Sequence, residues 1–249
     1  YKWKGKSNLG VVLDFGKLRD YFWKNLDKLG VEIYLGWKVV SVFTYRNFAE
    51  VRILSKKGQS KNLIVNLVVD ATGSKRSILD LDINSSDKLF TGNGIEWILQ
   101  GSKPISMEWN NALTFFIGTN WIKYGYGWIF PMSNDRLKVG VCRLPPIGMK
   151  TNFSNIDDIQ SLIDNNGLSK LEVVDKHSGI IRTSLNRSDK HYKDRVVGVG
   201  DCISTANLLG GEGIRHALCS SKVLGEILLK NLRPNSFNTN HELNYLKGY

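Results

Sequence analysis

Cysteine and proline are scarce in this chain, and acidic residues are outnumbered by basic ones. The three cysteines among 249 residues, Cys142, Cys202 and Cys219, are odd in number and show no C-x-x-C spacing. That argues against a disulfide framework and against zinc, and a reducing, cytoplasmic setting is the natural reading. His177, His191, His216 and His241 are too dispersed for a metal motif, so no metal is expected. No apolar run approaches the roughly 18 residues of a bilayer span. The opening "YKWKGKSNLG" has no initiator Met and lacks the apolar core of a signal peptide. A membrane role would therefore be a peripheral association, and the expectation is that the chain starts inside a longer one. Internal repeats and low-complexity segments are missing.

Lys and Arg total 34 against 23 Asp and Glu, a net charge of +11. Such a balance suits a nucleic acid, an anionic cofactor or an acidic membrane surface. The lysines are scattered, as in "SKKGQSK" and "SDKHYKD", and no basic and aromatic repeat marks a nucleic-acid module. General surface charge is the plain reading, with no nucleic-acid partner.

The composition, 42% hydrophobic and 23% charged, is that of a globular protein long enough for one large domain or two interleaved ones. Leu18, Phe22, Leu26 and Leu29 recur at three- and four-residue spacing before Gly30, predicting an amphipathic helix with a glycine C-cap. A short strand, "VEIYLG", should follow, and then a meander of "KVVSVFTY", "AEVRILSKKGQS" and "KNLIVNLVVDATG". Its last strand, Leu63 to Val69, is apolar enough to enter a core, with Asp70 terminating it and Gly73 opening the turn. From about Ser85 to Arg182 aromatics, Gly and Pro increase. The segments "TGNGIEWILQG", "ALTFFIGT", "YGYGWIFPMS", "RLKVGVCRL" and "LEVVDKHSGII" read as an inserted antiparallel sheet, interrupted by a helix near Ile156 to Asp164. "DRVVGVGD" returns to a buried strand. "GEGIRHALCSSKVLGEILLKNL" is a helix with Ile214, Leu218, Val223, Ile227 and Leu228 on one side. The predicted class is mixed α/β, divided at residues 1–84, 85–185 and 186–249.

The stretch "VVGVGDCISTANLLGGEGIRHAL" carries the chemistry. An aspartate at a strand end, Asp201, can accept hydrogen bonds from sugar hydroxyls. Gly210, Gly211 and Gly213 carry no Cβ, so main-chain N–H groups can approach a ligand at a helix start, where unpaired donors and partial positive charge suit phosphate or an electron-rich ring edge. Turn and packing needs account for such glycines equally well. The order of strand, Asp, loop, "GEGI" and helix is more specific.

This stretch resembles the C-terminal flavin motif of FAD-dependent oxidoreductases with the p-hydroxybenzoate hydroxylase fold, and within them the geranylgeranyl reductase group. "VNLVVDATG" is similar to that superfamily's D-A-T/D-G motif, and "YGWIFP" with the following "VGV" to the group's sheet segment. The resemblance implies a Rossmann-like FAD-binding domain made of residues 1–84 and 186–249, with residues 85–185 as an inserted antiparallel substrate domain. It places Gly200, Asp201, Asn207 and Glu212 at the cofactor, Asp201 on the ribityl chain, and the backbone of Gly210, Gly211, Gly213 and Ile214 along the isoalloxazine. Asp70 and Gly73 would stand near the cofactor on the nicotinamide side, and Trp128, Phe130 and Pro131 would line the substrate face. Asp70 also reads as a turn cap, and Trp128 and Phe130 as sheet core.

The superfamily's opening G-x-G-x-x-G, with an acidic residue some twenty positions on, is absent, which takes away much of the AMP site. Truncation of roughly the first third of a longer protein is the expectation. Leu208 replaces the proline of the family's "NPLTGEGI", while Asn207 is kept. The implied function is reduction of C=C bonds in a small apolar isoprenoid-type substrate by FAD, with NAD(P)H as one candidate electron donor. A flavin monooxygenase, a lycopene cyclase-like enzyme and a non-catalytic truncated binding protein stand as alternatives. Oligomeric state is not legible in the sequence.

Overall fold

The computed structural model describes residues 11–79, 89–149, 152–184, 191–207 and 211–231. In chain order the elements are α1 (Phe15–Lys28), β1 (Trp37–Thr44), β2 (Ala49–Ser55), β3 (Ser60–Val65), β4 (Val68–Asp70), β5 (Phe90–Gln100), α2 (Met107–Asn110), β6 (Thr114–Ile117), β7 (Gly125–Ser133), β8 (Arg136–Arg143), α3 (Asn155–Asn165), β9 (Glu172–Thr183), β10 (Tyr192–Lys193), β11 (Val196–Gly198) and α4 (Ile214–Asn231). Contacts divide the chain into two compact units. No helix among the described residues is long and apolar enough to cross a membrane.

The first unit takes in the N-terminal segment to Ile33, Asn93–Pro145 and Lys150–Gly179. Its α1 starts two residues before the predicted Lys17, because the Asp14 carboxylate accepts the Lys17 N–H at 3.1 Å and caps the first turn. Gly30, at φ +66°, ends it as expected. The sheet of this unit runs β6-β7-β8-β5-β9, with antiparallel pairing from β6 through β5. One face is a core in which Ile129, Leu137, Val139 and Val141 pack with Ile159, Leu162 and Ile163 of α3. Buried Arg143 reaches from β8 to Asp158 of α3, donates to the Lys123 carbonyl, and stacks 4.5 Å from the Phe153 ring centroid.

The second unit comprises Tyr34–Gly92, Pro146–Met149 and Ile180 onward. β1, β2 and β3 form the expected antiparallel meander, and Ala49, Val51 and Ile53 of β2 alternate into its core. Two predicted strands need correcting. "VEIYLG" is not a strand: Gly36 turns at φ +75°, its carbonyl taking the Lys56 N–H, and the ladder begins only at Trp37. The apolar run Leu63 to Val69 is likewise not one strand. It breaks at Asn66 and Leu67 because its two ends serve different sheets: β3 pairs with β2, while β4 pairs in parallel with β11.

The second sheet has the order β10-β11-β4. Val197 and Val199 pack on Leu224 of α4, with Ile227 and Leu228 beside it. Leu224, not the predicted Val223, anchors this helix: Leu224, Ile227 and Leu228 share the i, i+3, i+4 stripe, and Val223 lies outside its edge, about 100° from Leu224. Ile214, Leu218 and Val223 are exposed.

Candidate functional site

β11 delivers the chain to a sharp turn. Val199 stays extended and donates its N–H to the Asp70 carbonyl at 3.0 Å. Gly200 then adopts φ +63° and opens a 3-10 turn over Gly200–Ile203. A Cβ at Gly200 would come within 3.2 Å of the Ala217 Cβ, so the bare residue lets α4 cross closely. The Gly200 N–H donates to Ser220 Oγ at 2.9 Å, fixing helix to turn.

The turn places Asp201 against the start of α4. That helix begins at Ile214, three residues later than the glycines on which it was expected to open. Gly213 is its cap, accepting the Ala217 N–H at 2.8 Å. A Cβ on Gly213 would stand 3.4 Å from Asp201 Oδ1 and 3.7 Å from Oδ2, so the carboxylate lies beside uncovered main chain. Two main-chain hydrogen bonds join Asn207 to Gly211 and Glu212 ahead of the helix. The Asn207 N–H donates to the Glu212 carbonyl at 3.0 Å, and the N–H of Gly211, at φ +61°, donates to the Asn207 carbonyl at 2.8 Å. Asp201, Gly200, Asn207, Gly211, Glu212, Gly213 and Ile214 thus come together; Gly210 lies outside the described residues.

Burial pushes the Asp201 carboxyl above its ordinary range, and the charge of Arg76 opposes that rise. Arg76 is buried, in the left-handed region at φ 50°, and its guanidinium hydrogen-bonds Ser204 Oγ. Sequence reasoning did not single it out. Its only signal was a lone arginine three residues after "DATG" in a lysine-rich chain. Thr183 Oγ1, also buried, donates to the carbonyl of Ala206 at 3.0 Å and holds the small-residue loop.

Asp70 and Gly73 belong to the same unit but differ in availability. The Asp70 side chain is 0% exposed. It accepts the N–H groups of Thr72 at 2.9 Å, Ile78 at 3.0 Å and Leu79 at 2.7 Å. Burial works to raise this carboxyl, and the hydrogen bonds from Leu79, Thr72 and Cys202 outweigh it, leaving the group below its ordinary range. The Asp70 carboxylate is therefore engaged in organising residues 71–79. Gly73, at φ +67° with open space where a Cβ would be, shapes that turn.

In the first unit, Tyr126, Trp128 and Phe130 alternate along β7 on the face away from α3. Phe115, opposite Trp128 on β6, joins them with its ring 5.0 Å from that of Phe130, and is 50% exposed. Trp128 and Phe130 are half-buried and carry an aromatic surface. Pro131 does not share it. It pairs with Leu137, whose side chain enters the α3-side core, so alternation turns Pro131 to the opposite face.

No protein-family model matches the chain. It is 24% identical, over 76% of its length and 47% of the relative's, to digeranylgeranylglycerophospholipid reductase 2 of Methanosphaera stadtmanae. The chain thus spans about half the length of this curated relative. In three dimensions it is similar to a geranylgeranyl bacteriochlorophyll reductase-like protein from Thermoplasma acidophilum, with a TM-score of 0.79 and 16% identity over 98% of this chain and 61% of that one. It is also similar to aklavinone-11 hydroxylase, solved with FAD and aklavinone, with a TM-score of 0.60 and 18% identity over 86% of this chain and 41% of that one. The fold is that of FAD-binding, Rossmann-like flavoproteins, mixed α/β with antiparallel sheets. The resemblance to geranylgeranyl reductases drawn from the motifs agrees with both the relative and the structure.

Proposed function

We propose that the chain forms the ring-binding and substrate-binding parts of an FAD-dependent oxidoreductase that reduces C=C bonds of an apolar, isoprenoid-type substrate. The observation that carries this reading is the Asp201 carboxylate set against the bare Gly213 at the start of α4. That arrangement fits a flavin: it combines an acceptor for hydroxyl groups, space where a side chain would block a flat ring, and the unpaired first-turn donors of a helix.

Asp201 would accept from the ribityl hydroxyls, and the main chain at Gly211 to Ile214 would lie along the ring. When bound, FAD supplies a two-electron hydride carrier, which no side chain can provide. Arg76 keeps a positive charge near Asp201 and steadies the turn through Ser204. Trp128, Phe130, Tyr126 and Phe115 offer the apolar, aromatic lining that such substrates require. NAD(P)H as electron source belongs to the same proposal, as does peripheral attachment to anionic lipid, which the charge of +11 would favour.

The test is a titration of the purified chain with riboflavin and with FAD, followed by anaerobic incubation of the reduced complex with geranylgeraniol. Binding of flavin and product heavier by two hydrogens per reduced bond support the proposal; failure of both flavins to bind refutes it. Similarity to the hydroxylase favours one second reading, oxygen activation for hydroxylation. A product that gains oxygen, and only in air, would select that instead.

A further inference from the structure

The aromatic face of the first unit contains a charged pair among apolar neighbours. Trp128 on β7 and Glu96 on β5 are both cross-strand partners of Gly140 on β8, so the three residues form one row on one face. A Cβ at Gly140 would fall 2.1 Å from Trp128 Cζ2 and 2.3 Å from Cε2. The indole therefore lies directly on the β8 backbone, and only glycine permits it. The ring crosses that strand and donates from Nε1 to Glu96 Oε2 at 3.1 Å. The other carboxylate oxygen of Glu96 stands 3.3 Å from Lys138 Nζ, the two side chains being 23% and 12% exposed. Tyr126 and Phe130 flank the indole at 5.6 Å and 6.2 Å between centroids.

A charged acceptor makes a stronger and more directional bond than a neutral one. With one indole face on backbone and its N–H tied to a carboxylate, the remaining freedom of the ring is removed.

We propose that Glu96 is a positioning residue: it locks the indole of Trp128 over Gly140, so that the outer face of this one ring is held as a fixed plane, with Tyr126 and Phe130 tilted 42° and 31° to it, and selects planar, alkene-rich segments of an isoprenoid chain. Lys138 acts through Glu96 by holding its second oxygen. The proposal rests on the substrate reading above and adds the group that sets its selectivity.

The experiment titrates the full chain with retinol, a planar isoprenoid polyene, and with phytol, whose chain is nearly saturated. Retinol is followed by energy transfer from tryptophan and phytol by its competition with retinol, with thermal unfolding of each variant as the control for folding. The unmodified chain should prefer retinol. Glu96→Ala should weaken retinol about tenfold and leave phytol unchanged, the loss expected for one charge-assisted bond. Glu96→Gln, which keeps an acceptor oxygen, should recover most of the affinity, and Gly140→Ala should reproduce the loss by lifting the ring. Lys138→Met should give a smaller loss in the same direction and carries the test if the alanine variants fail to fold. Retinol affinity unmoved by these changes, or equal losses for both lipids, would overturn the positioning role alone. If neither lipid binds the unmodified chain, the substrate reading falls with it.

Discussion

Gly213→Ala separates ligand binding from folding. The added Cβ would lie 3.4 Å from Asp201 Oδ1 and 3.7 Å from Oδ2, ordinary contact distances that require no neighbour to move. Gly213 is not among the glycines with positive φ, so alanine fits its backbone. Alanine is a poorer helix cap than glycine, while losing glycine lowers the freedom of the unfolded chain; the two effects oppose, and a net change in stability within about 1 kcal/mol is expected. For a flavin the same methyl occupies the space the ring would use, and a loss of tenfold or more, about 1.4 kcal/mol, is expected. Riboflavin, which carries ring and ribityl arm without phosphate, isolates this site when titrated by fluorescence, and urea unfolding reports stability in parallel. An alanine variant that binds riboflavin as tightly as the unmodified chain would refute the placement of the ring. A variant that loses affinity and stability together would assign Gly213 to packing.

Three further outcomes are expected. Asp201 is held above the ordinary carboxylate range, so the native state takes up its proton more readily than the unfolded chain. Its contribution is full below the ordinary value and lost as pH rises through the native one. Asp201→Asn should leave the ligand-free chain at least as stable at pH 7 while weakening riboflavin, and marked destabilisation in urea would contradict this. Asp70 is shifted the other way, so its contribution is complete above the ordinary carboxylate value and lost as pH falls through the native one. Asp70→Asn, which cannot serve all three backbone donors, should cost about 3 kcal/mol near neutrality, with the difference shrinking in acid; a urea midpoint unchanged at pH 7 would sink the argument. Cys142 is buried, its thiol pushed up to about 11, whereas Cys219 is exposed. Iodoacetamide at pH 7.5 should modify Cys219 and spare Cys142 until the chain is denatured, as read by mass spectrometry of the peptides.

What the sequence made legible was local. The spacing of Leu18, Phe22 and Leu26 marked α1, and the alternation of Ala49, Val51 and Ile53 marked β2. The order of strand, Asp201 and "GEGI" marked the candidate site, because each signal is written in neighbouring residues. Errors arose where the partner is remote. Nothing in "NLIVNLVVD" says that its first half pairs with β2 and its second with β11. Pro131 follows Phe130 directly, so strand alternation turns it to the other face, beside Leu137. Arg76 and Glu96 looked like ordinary surface charges, since what gives them a role is Ser204 and Asp201 in one case and Trp128 in the other. Asp70 sat in a recognisable motif, yet only the folded turn shows its oxygens spent on Thr72, Ile78 and Leu79.

The parallel pairing of Val68–Asp70 with Val196–Gly198 also governs assembly. Long-range closures of this kind are slow, because chain freedom must be lost before any bond is gained. During synthesis, the edge at Val68 has to wait while the whole central sheet leaves the ribosome, and the loop bearing Asp201 forms only after that delayed zipping. The Asp201 turn is thus assembled late in synthesis, and a nascent chain arrested short of Val196 would carry Val68–Asp70 with no parallel partner and no Asp201 turn.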